Sequence, residues 1–260
     1  MSVTSIYRWH DGHLEPLEYC DMTDTSIVAA DSWLVRAGSA LALDLHRGRF
    51  LEAVADTADA QAFWDAAIAA IPDTGDWFPR VELQLRGDGL LFVFRLRSAP
   101  ELSRSIRLVA AESDPRRWPR TKGPDTGALA AARTAAQQRG ADDAVILSPD
   151  GYVVETAHAA LLWWRGEALC APSPELARVD SVTARSVLTL ATALGTDILY
   201  ESVTPDDLDG LEIWALNALH GIRIVTAWID GPSPAEESGR LGVWRSRLER
   251  LRRPLHPAEP

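Results

Sequence analysis

Lys122 is the only lysine in this chain of 260 residues, and the other 25 of its 26 basic residues are arginines. An arginine can replace lysine as a surface charge, but it keeps its proton at working pH and cannot form an imine. A single retained lysine therefore indicates covalent amine chemistry, with Schiff-base formation as the first candidate. The alternative is that an arginine-biased composition left one lysine by chance.

Glu155 is a second candidate, because it lies in the otherwise apolar stretch 153–157 (Val-Val-Glu-Thr-Ala). A carboxylate at a buried position is costly unless a cation or a protonated nitrogen faces it. The alternative interpretation is a solvated residue on an edge strand, since glutamates are mostly exposed. Only the first interpretation gives Glu155 a chemical role.

Local patterns predict the elements around these two residues. Residues 126–139 are rich in alanine and predict a helix that ends at Gly140. Residues 143–147 then predict a buried strand, 149–151 a tight turn, and 152–156 the hairpin partner that carries Glu155. The chain thus presents a lysine, a helix, a strand and a carboxylate, in that order.

A further helix is predicted over Thr183–Leu194, after the loop 178–182 and before Gly195. The first N–H groups of a helix have no acceptor within it, so they can bind an anion. The alternative is that this helix start, like most, binds only a capping side chain or water.

Residues 1–112 predict a small mixed α+β domain. Its predicted helices cover about 46–55 and 60–71. The runs Val81–Arg86 and Leu90–Arg97 flank a glycine-rich turn and predict a β-hairpin.

Residues 113–121 contain two prolines and three arginines with little periodicity, which is typical of an interdomain connector. Residues 122–260 then predict a larger C-terminal domain that begins with Lys122. Its last predicted element is a charged helix over residues 234–253.

Composition limits the function classes. A net charge of −11 and a pI near 5.0 argue against a nucleic-acid partner, which would need a basic face. The sequence has no apolar run of the roughly 20 residues that a membrane span needs, and its first residues lack a signal-peptide pattern. Cys20 and Cys170 match no metal or redox spacing, so we expect no metal site and a reduced, cytoplasmic setting.

Four blocks in register resemble the class IV pyridoxal-phosphate enzymes, which include branched-chain and D-amino acid aminotransferases and 4-amino-4-deoxychorismate lyase. The blocks are His-Arg-Gly-Arg-Phe at 46–50, Lys122 with its following helix, residues 140–156, and residues 211–225. The third block, combined with a lysine about thirty residues before its glutamate, is the most specific of the four. The resemblance covers most of the chain from about residue 40 to 230.

The resemblance implies a role for each candidate residue. Lys122 would form the Schiff base with pyridoxal phosphate and would later move a proton on the substrate. Glu155 would pair with the pyridine nitrogen and keep it protonated. Arg49 would hold the cofactor phosphate. The other implied phosphate contacts are backbone amides at Val182, at Thr183 and near Ala218.

Three positions depart from the family pattern. Asp125-Thr126 stands where the aminotransferases have Asn-Tyr after the lysine, and Ala160 stands where an asparagine usually follows the glutamate by five residues. At the phosphate-binding turn, Ala184 replaces the usual arginine, and Arg185 comes one place late. These departures concern the substrate more than the cofactor.

The implied fold is a two-domain α+β fold of fold type IV, with a small N-terminal domain and a larger C-terminal domain built on β-sheets with flanking helices. The implied activity is transfer of an amino group between an amino acid and a 2-oxo acid, by a homodimer. Two alternatives stay open: a 4-amino-4-deoxychorismate lyase, which eliminates pyruvate to leave 4-aminobenzoate, and a catalytically silent relative. A 2-oxo acid requirement would separate the transaminase from the lyase.

Overall fold

The computed structural model of the protein describes residues 4–17, 25–55, 57–87 and 89–256. Within these ranges the strands are β1 (Thr4–His10), β2 (His13–Pro16), β3 (Thr25–Ser32), β4 (Val35–Arg36), β5 (Ser39–Leu41), β6 (Asp76–Trp77), β7 (Arg80–Arg86), β8 (Gly89–Arg97), β9 (Ser105–Ala110), β10 (Asp143–Leu147), β11 (Val153–Thr156), β12 (Ala160–Arg165), β13 (Ala168–Pro172), β14 (Ile198–Glu201), β15 (Glu212–Asn217), β16 (Gly221–Ile229) and β17 (Arg252–Pro254). The α-helices of the same ranges are α1 (Leu43–Ala53), α2 (Ala60–Ala69), α3 (Thr126–Gln138), α4 (Val182–Ala193) and α5 (Arg240–Glu249).

The chain divides into two compact units. The first comprises Met1–Glu101, Thr121–Pro124 and Leu251–Pro260, and the second comprises Leu102–Arg120 and Asp125–Arg250. This division differs from the predicted ranges of 1–112 and 122–260. β9 pairs in parallel with both β10 and β16, so it belongs to the second unit. Strand partners so distant in sequence cannot be identified from local patterns.

The first unit is built on an antiparallel sheet with the strand order β2-β1-β8-β7-β3. β7 and β8 form the predicted hairpin, with Glu82 opposite Val93. Because successive side chains point to opposite faces of a strand, Val81 and Leu83 enter the apolar core while Glu82 points away from it. Phe63 of α2 stacks on Phe92 in this core, with ring centroids 4.7 Å apart.

The end of the chain differs from the prediction. The helix expected over residues 234–253 is confined to α5, which begins after Gly239, a residue with a positive φ of 82°. β17 follows and pairs with β5 of the first unit, where the Arg252 guanidinium also donates to the Leu34 carbonyl at 3.1 Å. This strand pairing with a distant segment stops the helix early, and the charge pattern of the sequence did not show it.

The second unit is built on a mixed sheet with the strand order β11-β10-β9-β16-β15-β12-β13-β14. α4 packs against β12, β14 and β15, and α5 packs against β16. Trp164, Trp214 and Trp244 pack together with ring centroids 5.3 to 5.9 Å apart, and they join α5 to the sheet. No helix in the described part of the chain is long and apolar enough to cross a membrane.

Candidate active site

Lys122 is fixed by its backbone in the first unit. The Lys122 carbonyl accepts a hydrogen bond from the Ala30 amide of β3 at 2.8 Å. The next residue, Gly123, has a φ of +131°, and a Cβ there would lie 2.7 Å from the Ala30 nitrogen and 2.8 Å from the Ala29 carbonyl carbon. Only glycine allows the two backbone segments to come so close together. This contact fixes the Lys122 backbone against β3.

Arg49 lies on α1 and forms a bidentate ion pair with Asp31 at the end of β3. The Arg49 Nε and Nη2 atoms each donate to an Asp31 carboxylate oxygen at 2.8 Å. The Asp31 Oδ1 atom also lies 2.8 Å from the His46 Nδ1 atom. Asp31 is completely buried, and it was not among the residues that sequence reasoning selected.

The pKa of Asp31 follows from these contacts. Burial by itself would raise this pKa, but the charges and hydrogen bonds of His46 and Arg49 outweigh burial and hold it well below its ordinary value of 3.8. Asp31 therefore stays ionised and fixes the Arg49 guanidinium in one orientation. A fixed guanidinium suits a phosphate, which it can bind through parallel N–H groups.

Asp31→Asn is expected to lower the free energy of unfolding by about 3–5 kcal/mol, because it leaves the partly buried Arg49 guanidinium without its buried carboxylate partner. The contribution of a carboxylate with a lowered pKa is present at neutral pH and is lost as the pH falls from about 4 through the folded value. Urea unfolding between pH 7 and about 3, where this loss begins, should therefore show a weaker acid dependence in the variant. The matched control is Glu15→Gln, which breaks the exposed pair with Arg8 and should change stability little.

Glu155 lies on β11, the edge strand of its sheet, yet the residue is only 8% exposed. The interpretation of a solvated edge carboxylate is therefore wrong. Its facing cation is Arg116, whose Nη1 atom lies 2.5 Å from the Glu155 Oε1 atom. The sequence indicated that a buried Glu155 needed a cation, but it did not identify this arginine between β9 and α3 as its source.

Arg116 is held by three other oxygens. Its Nε and Nη2 atoms donate to the two carboxylate oxygens of Asp114 at 2.8 Å, and Nη1 donates to the Ala177 carbonyl at 3.0 Å. Burial alone would lower the pKa of Arg116, but hydrogen bonds to Asp114 and the charge of Glu155 raise it overall. With Asp114 and Glu155 ionised, the three side chains carry a net charge of about −1, which favours a further cation beside them.

The start of α4 lies in the same unit. Ser181 is the N-cap, and its hydroxyl oxygen accepts a hydrogen bond from the Ala184 amide at 3.3 Å. The amides of Val182 and Thr183 are in the first turn, where a helix supplies no acceptor. The predicted helix thus begins one residue earlier than expected, and its first amides remain suited to an anion.

Ala218 lies in the turn between β15 and β16. The Asn217 side-chain oxygen accepts hydrogen bonds from the amides of Leu219 at 3.2 Å and His220 at 2.8 Å. Two amides of this turn are therefore already hydrogen-bonded within the turn. The Ala218 amide stays a candidate phosphate contact, as the sequence resemblance implied.

A pocket of about 450 Å³ opens beside the start of α4, a size suited to a small molecule. Arg178 shapes its wall: Nη1 donates to the Ser173 carbonyl at 2.7 Å, and Nη2 donates to the Pro172 carbonyl at 2.7 Å. Burial lowers the pKa of Arg178. The other polar or charged residues that line the pocket are Arg120, Asp180, Ser181, Arg185, Thr189, Thr192 and Tyr200.

Candidate residues fall in both compact units. Lys122 and Arg49 belong to the first unit, and Glu155 belongs to the second together with the amides near α4 and the β15–β16 turn. The sequence did not select Asp31 and Arg116. Each forms an ion pair with a residue at least 18 positions away in sequence, so no spacing rule would have found it.

Residues 29–228 match the family described as amino-transferase class IV. No curated protein matches the chain. Among solved structures, the chain is similar to the fold IV-transaminase CpuTA1 from Curtobacterium pusillum, with a TM-score of 0.79, 18% identity, and coverage of 95% of this chain and 99% of that one.

Two other similar structures have different assigned activities. The branched-chain amino acid aminotransferase of T.th., complexed with N-(5'-phosphopyridoxyl)-L-glutamate, gives a TM-score of 0.78 at 16% identity, covering 97% of this chain and 98% of that one. A Legionella pneumophila protein assigned as a 4-amino-4-deoxychorismate lyase gives 0.76 at 15% identity, covering 91% and 96%. These likenesses confirm the predicted fold class, a two-domain fold of type IV.

Proposed function

The chain belongs to the class IV aminotransferase family, and we propose that it is a pyridoxal-phosphate-dependent enzyme that moves an amino group between an amino acid and a 2-oxo acid. The observation that carries the proposal is Lys122, the sole lysine, whose backbone is locked against β3 through Gly123. A chain that uses arginine for every other basic position has kept an amine at one rigid place. The phosphopyridoxyl compound bound to the similar branched-chain aminotransferase supports the choice of cofactor.

The donor groups fit this cofactor. Lys122 supplies an amine, and Arg49 supplies a guanidinium that Asp31 holds in place. The amides of Val182 and Thr183 suit a phosphate, and the buried Glu155 carboxylate, part of a cluster with a net negative charge, suits a protonated ring nitrogen. When bound, pyridoxal phosphate supplies an electron sink for the bonds of the substrate's α-carbon.

We propose a role for each of these residues. Lys122 binds the cofactor covalently and afterwards takes a proton from the substrate and returns it at another carbon. Glu155 accepts a hydrogen bond from the protonated ring nitrogen. Arg49 and the amides of Val182, of Thr183 and near Ala218 bind the phosphate.

A 4-amino-4-deoxychorismate lyase is the second candidate. The TM-score of 0.76 to the Legionella pneumophila protein is only slightly below the 0.78 to the branched-chain aminotransferase. The sequence Asn217-Ala218-Leu219 resembles the lyases more than the aminotransferases. In this structure the Asn217 side-chain oxygen accepts hydrogen bonds from two amides of that turn. The lyase would use the same lysine and carboxylate to release pyruvate.

Amino-acceptor dependence tests the proposal. We expect purified holoprotein to absorb at about 410–430 nm and to convert members of a panel of L- and D-amino acids only when a 2-oxo acid is present. Turnover of aminodeoxychorismate without any 2-oxo acid would support the lyase instead. Protein that takes up no cofactor would show a catalytically silent relative.

We further propose that the protein is a cytoplasmic homodimer. The dimer is a feature implied by the family, and the buried Cys170 thiol, whose pKa burial raises to about 11, needs no oxidising compartment. Cys20 lies outside the described residues. Sedimentation at micromolar concentration measures the assembly, and a mass of only 28.4 kDa would contradict it.

A further inference from the structure

Arg116 lies in the connector between β9 and α3 and contacts the carboxylate that we assign to the cofactor's ring nitrogen. We infer that Arg116 is a positioning residue: it keeps Glu155 ionised and thereby holds the shared proton on the ring nitrogen. This inference rests on the proposed function. It adds a residue to the site that neither the sequence pattern nor the assigned roles require.

The contacts hold Arg116 in one place. Its guanidinium forms a two-pronged pair with Asp114 and donates to Glu155 and to the Ala177 carbonyl through Nη1. The side chain is only 4% exposed. A planar guanidinium group is more directional as a hydrogen-bond donor than a lysine ammonium. Arg116 therefore fixes the orientation of the Glu155 carboxylate and also neutralises part of its charge.

The charges favour one position of the proton. A proton shared between Glu155 and a ring nitrogen can reside on either atom. When it moves from the carboxylate to the nitrogen, positive charge moves away from the Arg116 guanidinium and negative charge is left beside it. The guanidinium attracts the adjacent negative carboxylate more strongly than it repels the more distant positive nitrogen, so Arg116 favours the protonated nitrogen.

Asp114 and Arg178 also act on Glu155. Asp114 repels its negative charge but is itself paired with Arg116 through two hydrogen bonds. Arg178 also attracts it electrostatically. The Arg178 guanidinium, however, donates to backbone carbonyls of Pro172, Ser173 and Leu176. Arg116 has a direct contact with the carboxylate, so its removal should have the larger effect.

The first test uses protein without cofactor. We expect the side-chain carboxyl carbon of ¹³C-labelled Glu155, identified by its absence in Glu155→Gln, to report an ionised group across the neutral range. In Arg116→Gln the same signal should titrate at a higher pH, because a buried carboxylate that loses its cation takes up a proton more readily. Arg107→Gln, which removes an exposed arginine paired with Asp142, is the matched control and should leave the signal unchanged.

The second test uses holoprotein with ¹⁵N-labelled pyridoxal phosphate. We expect the ring-nitrogen shift of the wild type to be that of a protonated nitrogen, and that of Arg116→Gln to move towards the unprotonated value. Arg116→Lys, which keeps the charge, should restore the protonated shift. It also serves as the test if Arg116→Gln does not fold, because an unprotonated nitrogen in this charged variant would contradict the inference.

An unchanged Glu155 titration in Arg116→Gln, or an unchanged ring-nitrogen shift, would overturn the inference while leaving the proposed function intact. Failure of the wild type to bind cofactor through Lys122 would instead overturn the proposed function. The cofactor-free titration separates the two failures, because it measures the effect of Arg116 on Glu155 alone.

Discussion

Lys122→Arg is expected to keep the positive charge at this position and to lose all detectable turnover. Arginine cannot form an imine with the cofactor, and the chain contains no second lysine that could replace the first. Borohydride reduction in the presence of pyridoxal phosphate, followed by peptide mass mapping, should place the adduct of the wild type on Lys122. The same treatment of the variant should give no adduct at residue 122.

The matched control is Arg107→Lys, which adds a second lysine in an exposed pair with Asp142. We expect the adduct of this variant to stay on Lys122 and its turnover to stay near that of the wild type. An adduct divided between the two lysines would show that Lys122 is no more reactive than a surface amine. Wild-type protein without any adduct at saturating cofactor would also count against the assignment.

Glu155→Gln is expected to lower turnover by at least about 100-fold, which corresponds to roughly 2.7 kcal/mol of transition-state stabilisation. The amide keeps the shape of the carboxylate but removes the charge that holds the ring nitrogen protonated. It also leaves the buried Arg116 without one of its two carboxylates. The cofactor should still bind, because Lys122 and Arg49 are unchanged. Absorbance measures this binding, and steady-state rates measure the loss of turnover.

Glu201→Gln is the control for this substitution. Glu201 lies on β14 in the same sheet and also accepts hydrogen bonds from an arginine, Arg165, but it is half-buried and has no assigned role. We expect its turnover to stay within several-fold of the wild type, an order-of-magnitude expectation for a partly exposed pair. Near-normal turnover in Glu155→Gln on a confirmed substrate would show that the buried carboxylate is structural.

Much of the local structure was determined by the sequence itself. The hairpin of β7 with β8, the helix α3, and the hairpin of β10 with β11 lie within about a residue of their predicted positions. Each depends on side-chain periodicity and on turn residues a few positions apart, which a single sequence contains. The family and the fold class were implied by the resemblance of four sequence blocks to the class IV pyridoxal-phosphate enzymes, and both are confirmed.

The tertiary structure alone decided which residues meet. Asp31 pairs with Arg49 across 18 positions, and Glu155 pairs with Arg116 across 39. β9 joins the second unit and β17 the first because each finds strand partners far away in the chain. Such contacts arise when distant segments pack, and the energy of a buried ion pair depends on that packing. The sequence predicted that a buried Glu155 needs a cation beside it, but only the tertiary structure identified that cation as Arg116.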